Sequence, residues 1–297
     1  MLRTAGSVRE EFREARSVFT TQLRQPSEST DPPTLPAAAA AGNATLVTFP
    51  GPLGEMPAYV VTPPGEGRRP AIVWLTGGFD NSIDPFVFDS ADQDNDQTAS
   101  AFWRQGVITM YPSRRGANGN PGETEFLFGE VDDVLAAAEW LAGQPSVDTE
   151  RLYIGGHSTG GTLALLVAEL TDRFAGVISL GPVDTTYFDL RSIREQIPDA
   201  TESEITLRSP VRWLTALDTP TWIIEGDDGN AASARALAKE ARKLGLDVTT
   251  AVIPGETHFS IIGEVCERFA AEITEAAAED RPLSVSDDAI RGLFKSP

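Results

Sequence analysis

The stretch Tyr153–Gly161, which reads Y-I-G-G-H-S-T-G-G, most constrains how this chain can fold. It follows a short apolar run, and a second apolar run begins at Thr162, so it predicts a tight turn between a strand and a helix. Residues 156–160 fit the pattern G-x-S-x-G, in which a serine occupies a strained turn and the chain passes close to itself on either side. The two glycines leave room for that approach. The stretch therefore predicts a nucleophile elbow centred on Ser158.

Composition limits the partners and the compartment that we expect. The chain has 297 residues and a formal net charge of −20, which disfavours binding to nucleic acid or to anionic membranes. A single cysteine, Cys266, excludes an intrachain disulfide framework, and its helical spacing with apolar residues predicts a buried core thiol. Residues 1–22 lack the apolar core of a signal peptide, and no apolar stretch has the length of a membrane span. We expect a cytoplasmic protein.

Apolar runs typical of strands and helices alternate from residue 71 onward. This order predicts an α/β fold, with a mostly parallel sheet, right-handed crossovers and helices on both faces. The predicted strands are Ala71–Leu75, Val107–Tyr111, Arg151–Ile154, Gly176–Leu180, Thr221–Glu225 and Asp247–Ile253. The predicted helices are Thr98–Gln105, Val131–Leu141, a run from Thr162, Ala231–Leu244 and Ile261–Ala278. Two earlier runs, Thr45–Phe49 and Pro57–Val61, predict an antiparallel N-terminal hairpin at one edge of the sheet.

The two ends of the chain differ in composition from its middle. Apolar residues recur at helical spacing between Ser7 and Arg24, and Pro26–Gly42 is a Pro/Ala-rich linker. We therefore divide the chain into an N-terminal helix with its linker (1–44), a catalytic domain (45–280) and a C-terminal tail (281–297). We expect the first helix to pack on the main body. A lid over the active site and a homodimer contact through the terminal helices are alternatives.

The chain contains two histidines, and their positions predict different roles. In open α/β sheets the ligand site lies beyond the carboxyl ends of the strands. His258 follows the last predicted strand, where the chain order serine, acid, histidine places the general base. His157 precedes Ser158, so its side chain should point away from that of the serine. We predict that His258 is the base and that His157 packs in the core.

Several carboxylates could orient the base. An acid in this position holds the imidazole in the correct tautomer and stabilises the imidazolium as it forms. We favour Asp228, because one more residue of loop after the strand should let it reach His258. Asp184, at the end of the preceding strand, is the main alternative, and Asp227 and Glu225 rank behind these two.

An oxyanion hole requires two backbone N–H groups aimed at the developing negative charge. The residue after the nucleophile, Thr159, should supply one. The turn after the strand Ala71–Leu75 should supply the other, from Gly78 or Phe79. This chemistry needs no metal or organic cofactor, and the expected partner is a small-molecule acyl substrate.

These motifs resemble the α/β-hydrolase superfamily. The segment 69–270 is similar to the catalytic domain shared by prolyl-oligopeptidase-like peptidases and dienelactone-hydrolase-like esterases. The matching pieces are Leu75–Gly78, Arg115–Gly116, Val147–Asp148, Arg151–Gly161, Arg208–Pro210 and Gly255–His258. Members of the family usually place the acid further beyond the glycine that follows the strand than this short loop allows.

The resemblance implies a serine hydrolase that acts through an acyl-enzyme. The residues before Ala71 are too few for the β-propeller of the larger peptidases, so we expect an ester or a related acyl compound as substrate. Three alternatives remain open. They are an aminopeptidase-like serine peptidase, an enzyme that transfers an acyl group or cleaves a carbon–carbon bond with the same triad, and a hydrolase fold that only binds its ligand.

Overall fold

The computed structural model describes residues 4–24, 30–186, 191–197 and 200–295. Its centre is an eight-stranded sheet with the strand order β1-β2-β4-β3-β5-β6-β7-β8. The strands are β1 (Ala44–Gly51), β2 (Gly54–Val61), β3 (Arg69–Leu75), β4 (Ile108–Pro112), β5 (Val147–His157), β6 (Gly176–Leu180), β7 (Thr221–Asp228) and β8 (Val248–Thr257). β2 pairs antiparallel with β1 and β4, and the strands from β4 to β8 are parallel. The predicted fold class and the N-terminal hairpin are confirmed.

Helices cover both faces of the sheet. They are α1 (Ala5–Ser17), α2 (Ala37–Ala41), α3 (Ala101–Arg104), α4 (Glu130–Ala142), α5 (Thr159–Ala168), α6 (Arg191–Gln196), α7 (Glu202–Leu207), α8 (Pro210–Trp213), α9 (Ala231–Leu244), α10 (Ile261–Ala278) and α11 (Asp287–Gly292). The bounds of α9 and α10 are those predicted. The helix predicted over Thr98–Gln105 is shorter, because Ala99 has a φ of 51° and a right-handed helix cannot contain that conformation.

The central strands are continuously apolar because each of their faces is covered. In β3, Val73 and Leu75 pack with α4 and α5, whereas Ile72 and Trp74 pack with α3 and α10 on the opposite face. Side chains of a strand point alternately to its two sides, so a strand covered on both sides has no polar positions. The two layers of helices cover the sheet, and the carboxyl ends of its parallel strands lie together at one edge.

The first helix packs on the main body, but it is shorter than predicted. Phe12 of α1 is fully buried and stacks on Trp213, with 4.3 Å between ring centroids. The helix ends at Ser17 rather than near Arg24. The chain after it contains Val18, Thr20 and Thr21, and β-branched residues disfavour helix. The apolar stripe therefore continues to pack against the main body after the helix has ended.

The linker and the C-terminal tail also contain structure. Within the predicted linker Pro26–Gly42, five alanines form α2, and residues 25–29 lie outside the described part of the chain. In the tail, Ile290 of α11 is fully buried, and the indole N–H of Trp222 donates to the carbonyl of Val285 at 2.8 Å. Residues after 280 thus pack on the sheet.

Two expectations from composition can be compared with the structure. Cys266 of α10 is buried, as predicted, and burial raises the pKa of its thiol well above the usual value. Among the helices of the described residues, none combines the length and apolar character that crossing a membrane requires.

Candidate active site

Ser158 occupies the turn between β5 and α5 in a strained conformation. Its φ of 58° and ψ of −118° lie outside the regions that L-residues normally adopt. The backbone is held in place by the N–H of Ser158, which donates to the carbonyl of Leu180 at 2.8 Å. Strain of this kind persists only where the surroundings enforce it, and it is common at functional sites. The predicted strand–turn–helix context of the serine is present.

The glycines around Ser158 are required by close backbone contacts. A Cβ added at Gly156 would lie 2.6 Å from the carbonyl oxygen of Leu75, and one added at Gly160 would lie 2.1 Å from the same oxygen. Both distances are shorter than any tolerable contact, and the obstructing atom belongs to the backbone of β3. The close approach predicted from the G-x-S-x-G pattern is therefore the observed geometry.

His258 lies between β8 and α10, with its ring bound to a buried carboxylate. Its Nδ1 is 2.7 Å from Oε1 of Glu225, whose side chain is fully buried. The backbone N–H of His258 donates to the carbonyl of Asp228 at 2.8 Å. A carboxylate can only accept, so Nδ1 carries the proton in the neutral ring and Nε2 is left with a lone pair. This is the tautomer that a general base requires.

Ser158 and His258 line one cavity of about 360 Å³. Gly78, Phe79 and Thr159 line it as well, so the predicted nucleophile, base and oxyanion groups face the same space. Their catalytic roles stay predictions. The remaining lining residues are Leu127, Thr162, Val183, Thr186, Ile193 and Asn230.

The carboxylate at the imidazole is that of Glu225, which corrects our choice of Asp228. Asp228 is exposed and gives His258 only its backbone carbonyl. Asp227 accepts from the backbone N–H of Gly255 at 3.0 Å, and Asp184 accepts from the hydroxyl of Ser233 at 2.7 Å. The carboxylates of Asp227 and Asp184 therefore have other partners.

The length of β7 explains the error. The strand was expected to end at Glu225, with a loop reaching from there to the base, but it continues to Asp228 and pairs with β8 at Thr257. Asp228 is consequently held in the ladder. Glu225 lies within the strand, and its longer side chain reaches the ring. The sequence did contain a signal for Glu225, because this acid ends the apolar run T-W-I-I-E. An acid buried with such a run needs a polar partner, and His258 could be that partner.

Glu225 is held by a second contact besides the imidazole. Its Oε1 also accepts from the backbone N–H of Asn230, and the side-chain amide of Asn230 donates to the carbonyl of Gly181 at 2.8 Å. A Cβ added at Gly181 would lie 2.5 Å from the His258 ring. The lack of a side chain at Gly181 and the hydrogen bonds of Asn230 therefore allow the carboxylate of Glu225 to contact the ring of His258.

The turn after β3 lies against the elbow. Gly78 has a φ of 85°, which favours glycine, and its carbonyl accepts from the hydroxyl of Thr159 at 2.5 Å. Thr159 is the first residue of α5, so its N–H has no acceptor within the helix. The predicted oxyanion residues thus lie next to one another, and their role stays a prediction.

His157 is buried, as predicted, and its ring lies beside that of His258. Its Nε2 is 2.9 Å from the carbonyl oxygen of His258, and the two ring centroids are 4.5 Å apart. Burial, together with the neighbouring His258, lowers the pKa of His157 to about 4. The ring is therefore neutral near neutral pH.

A second, polar cleft of about 580 Å³ adjoins the site at Thr76 and Gly77. Asp80, Asp84 and Phe86 line it. Across residues 4–24, 30–186, 191–197 and 200–295, no group of three or more His, Cys, Asp or Glu side chains could hold a metal ion.

The chain resembles known proteins in sequence and in structure. The profile of the prolyl oligopeptidase family matches residues 95–275. The uncharacterized peptidase YtmA of Bacillus subtilis (strain 168) is 27% identical over 137 residues, which are 42% of this chain and 53% of that protein. The chain thus spans about half the length of this relative.

Two solved structures share the fold at low sequence identity. The acylaminoacyl peptidase of Pyrococcus horikoshii superposes with a TM-score of 0.64 at 19% identity, covering 85% of this chain and 44% of that chain. An esterase of Pyrobaculum calidifontis superposes with a TM-score of 0.60 at 17% identity, covering 93% of this chain and 94% of that chain. Peptidase and esterase thus occur on this architecture.

Proposed function

Because the chain belongs to the prolyl oligopeptidase family, we propose that it is a serine hydrolase that cleaves esters of uncharged, apolar acyl groups. One observation carries the proposal. The strained Ser158 shares a cavity with His258, whose Nδ1 is bound at 2.7 Å by the buried carboxylate of Glu225. A nucleophile, a base in the correct tautomer and an acid to orient that base are the parts that acyl transfer through a covalent intermediate requires.

The proposed reaction has two halves. The hydroxyl of Ser158 attacks the ester carbonyl while His258 Nε2 takes its proton, and the backbone N–H groups of Thr159 and of Gly78 or Phe79 stabilise the oxyanion. His258 returns the proton to the leaving alcohol, and an acyl-enzyme forms. Water then attacks the acyl carbon while the same imidazole takes its proton, and His258 returns that proton to the oxygen of Ser158 as the acid is released. Glu225 stabilises the imidazolium in both halves.

The cavity lining supports an apolar acyl group. Phe79, Leu127, Val183 and Ile193 provide its apolar surface. The hydroxyl of Thr162 accepts from the N–H of Val183 and donates to the carbonyl of Ser158, so it is engaged within the protein.

Thr186 is engaged in the same way, because its hydroxyl donates to the carbonyl of Arg208. Among the described residues that line this cavity, His258 is the one that can carry a charge. An ammonium or carboxylate on the acyl part would lose its hydration without gaining an ion pair.

Peptide hydrolysis is the second candidate, and membership of the prolyl oligopeptidase family favours it. The same three groups can cleave an amide if the leaving amine is protonated by His258. The charge of the lining distinguishes the candidates, because an aminopeptidase needs a counter-ion for the substrate's ammonium and the cavity lining contains no carboxylate among the described residues.

Two measurements test the proposal. A fluorophosphonate probe should label the wild-type protein and the control Ser284→Ala, whose serine is exposed and outside the cavity lining, but not Ser158→Ala. Absence of labelling in the wild type would favour the non-catalytic binding module. A panel of 4-nitrophenyl esters from acetate to laurate, with an aminoacyl 4-nitroanilide beside it, should show ester turnover well above amide turnover. The reverse order would favour the peptidase.

A further inference from the structure

His157 contacts the base through two kinds of interaction. Its Nε2 lies 2.9 Å from the carbonyl oxygen of His258, and its ring packs at 45° against the His258 ring. The side chain is 2% exposed. Because His157 is the last residue of β5 and immediately precedes Ser158, it connects the elbow to the loop that carries the base.

The hydrogen bond defines the tautomer of His157. A carbonyl oxygen only accepts, so Nε2 carries the proton and Nδ1 does not. This Nδ1 is buried and has no hydrogen-bond partner among the described residues. A Cβ added at Gly77 would lie 3.3 Å from it and 3.2 Å from Cβ of Ser158. The ring therefore lies between the base loop and the turn that leads to Gly78.

His258 is restrained at three points, and His157 provides one of them. The N–H of His258 is bound by the carbonyl of Asp228, its ring by Glu225 and its carbonyl by His157. A base must come within about 2.6 to 3.2 Å of the atom whose proton it takes, so the position of this loop decides whether Nε2 can reach the hydroxyl of Ser158.

We propose that His157 is a positioning residue, which holds the base His258 in register with the nucleophile Ser158 by donating from Nε2 to the His258 carbonyl. This inference rests on the proposed function. It differs from a packing role, because a side chain of equal volume without a donor would leave the carbonyl of His258 without this hydrogen bond.

Two variants separate the donor from the ring. His157→Phe keeps an aromatic ring and removes the donor, whereas His157→Gln keeps an amide N–H that can reach the same carbonyl. Phe259→Leu is the control for ring packing alone. The ring centroid of Phe259 lies 5.4 Å from that of His157 and 5.1 Å from that of His258, and Phe259 takes no part in the proposed hydrogen bond.

We expect His157→Phe to lower kcat for the best ester about tenfold or more, with KM within about twofold, because loss of one hydrogen bond corresponds to about one order of magnitude in rate. His157→Gln should recover most of the loss, and Phe259→Leu should resemble wild type. The acid limb of the kcat/KM profile should move to lower pH in His157→Phe, because a displaced imidazolium is stabilised less by Glu225.

A readout that does not depend on turnover completes the test. The Nδ1–H of His258, bound to Glu225, should give a downfield proton resonance in wild type and His157→Gln that is lost or broadened in His157→Phe. Equal kcat and an unchanged resonance in His157→Phe would overturn the inference, as would equal losses in the Phe and Gln variants. If wild type hydrolyses no ester, the proposed function fails, and the resonance still decides whether His157 holds the His258 ring.

Discussion

Oε1 of Glu225 lies 2.7 Å from Nδ1 of His258, and the carboxylate is fully buried while the imidazole is 18% exposed. The ring thus meets the protein interior at Nδ1, and His258 also lines the cavity. This contact connects β7 to the loop after β8. It places a carboxylate at Nδ1 of the imidazole, whereas Asp227 and Asp184 bind other groups.

Replacing Glu225 by glutamine should lower kcat roughly 10⁴-fold, the effect known when an amide replaces the acid of a serine triad. The amide cannot stabilise the imidazolium and can donate to Nδ1, which favours the wrong tautomer. Steady-state kinetics on the best ester measure the loss. Asp228→Asn and Asp184→Asn are the controls and should stay within about threefold of wild type. A large fall in Asp228→Asn with Glu225→Gln near wild type would return the role to Asp228.

The strain at Ser158 predicts an order of stability between two inactive variants. Glycine adopts a φ of 58° readily, whereas alanine retains the strain, so Ser158→Gly should be more stable than Ser158→Ala by about 1 kcal/mol. Urea unfolding monitored by circular dichroism measures the difference. Equal midpoints would show that the backbone at this position is relaxed.

The approach of the elbow to β3 predicts a severe effect at Gly160. A methyl group there would meet the carbonyl of Leu75 at 2.1 Å, so Gly160→Ala should destabilise the protein by about 3 kcal/mol or more or prevent folding. Gly292→Ala is the control, because a Cβ at that position meets nothing within 4 Å. A Gly160→Ala protein as stable as the control would contradict the packing described for the elbow.

The apolar cavity predicts that a substitution at Val183 changes the preference of the protein for acyl chain length. The larger side chain of Val183→Phe would occupy part of the space of about 360 Å³ while its backbone N–H kept the bond to Thr162. We expect kcat/KM for the longest accepted ester to fall about tenfold or more relative to acetate, because a few kcal/mol of apolar contact are lost. Parallel losses for long and short esters would place the acyl group elsewhere.

The buried His157 predicts that stability falls as the solution becomes acidic. Its pKa in the folded protein is about 4, below the ordinary value of 6.5, so the unfolded chain binds a proton that the folded protein does not. This difference contributes about 3 kcal/mol to the free energy of unfolding. The contribution is fully present above about pH 6.5 and is lost as the pH falls toward about 4. Urea unfolding from pH 7 to pH 4 should show a steeper decline in wild type than in His157→Gln, and parallel declines would contradict the shift.

Much of the fold could be predicted from local pattern. The helices Ala231–Leu244 and Ile261–Ala278 have the predicted bounds, because helical periodicity and a following glycine or polar residue are local signals. Ser158 and His258 were found from motif and chain order, and the structure brings both to one cavity. A strained turn requires glycines at fixed spacing, so the sequence around the serine carries its own geometry.

The sequence by itself therefore determined the layered α/β architecture, the elbow and the candidate base. Only the tertiary structure decided which carboxylate meets the imidazole. That choice depends on how far β7 pairs with β8, which leaves Asp228 in the ladder and directs the buried Glu225 at His258. The length of a strand is set by its neighbour, and the direction of a side chain by its register. Neither can be read from the residues around one acid, because both arise from hydrogen bonds between segments that are distant in the chain.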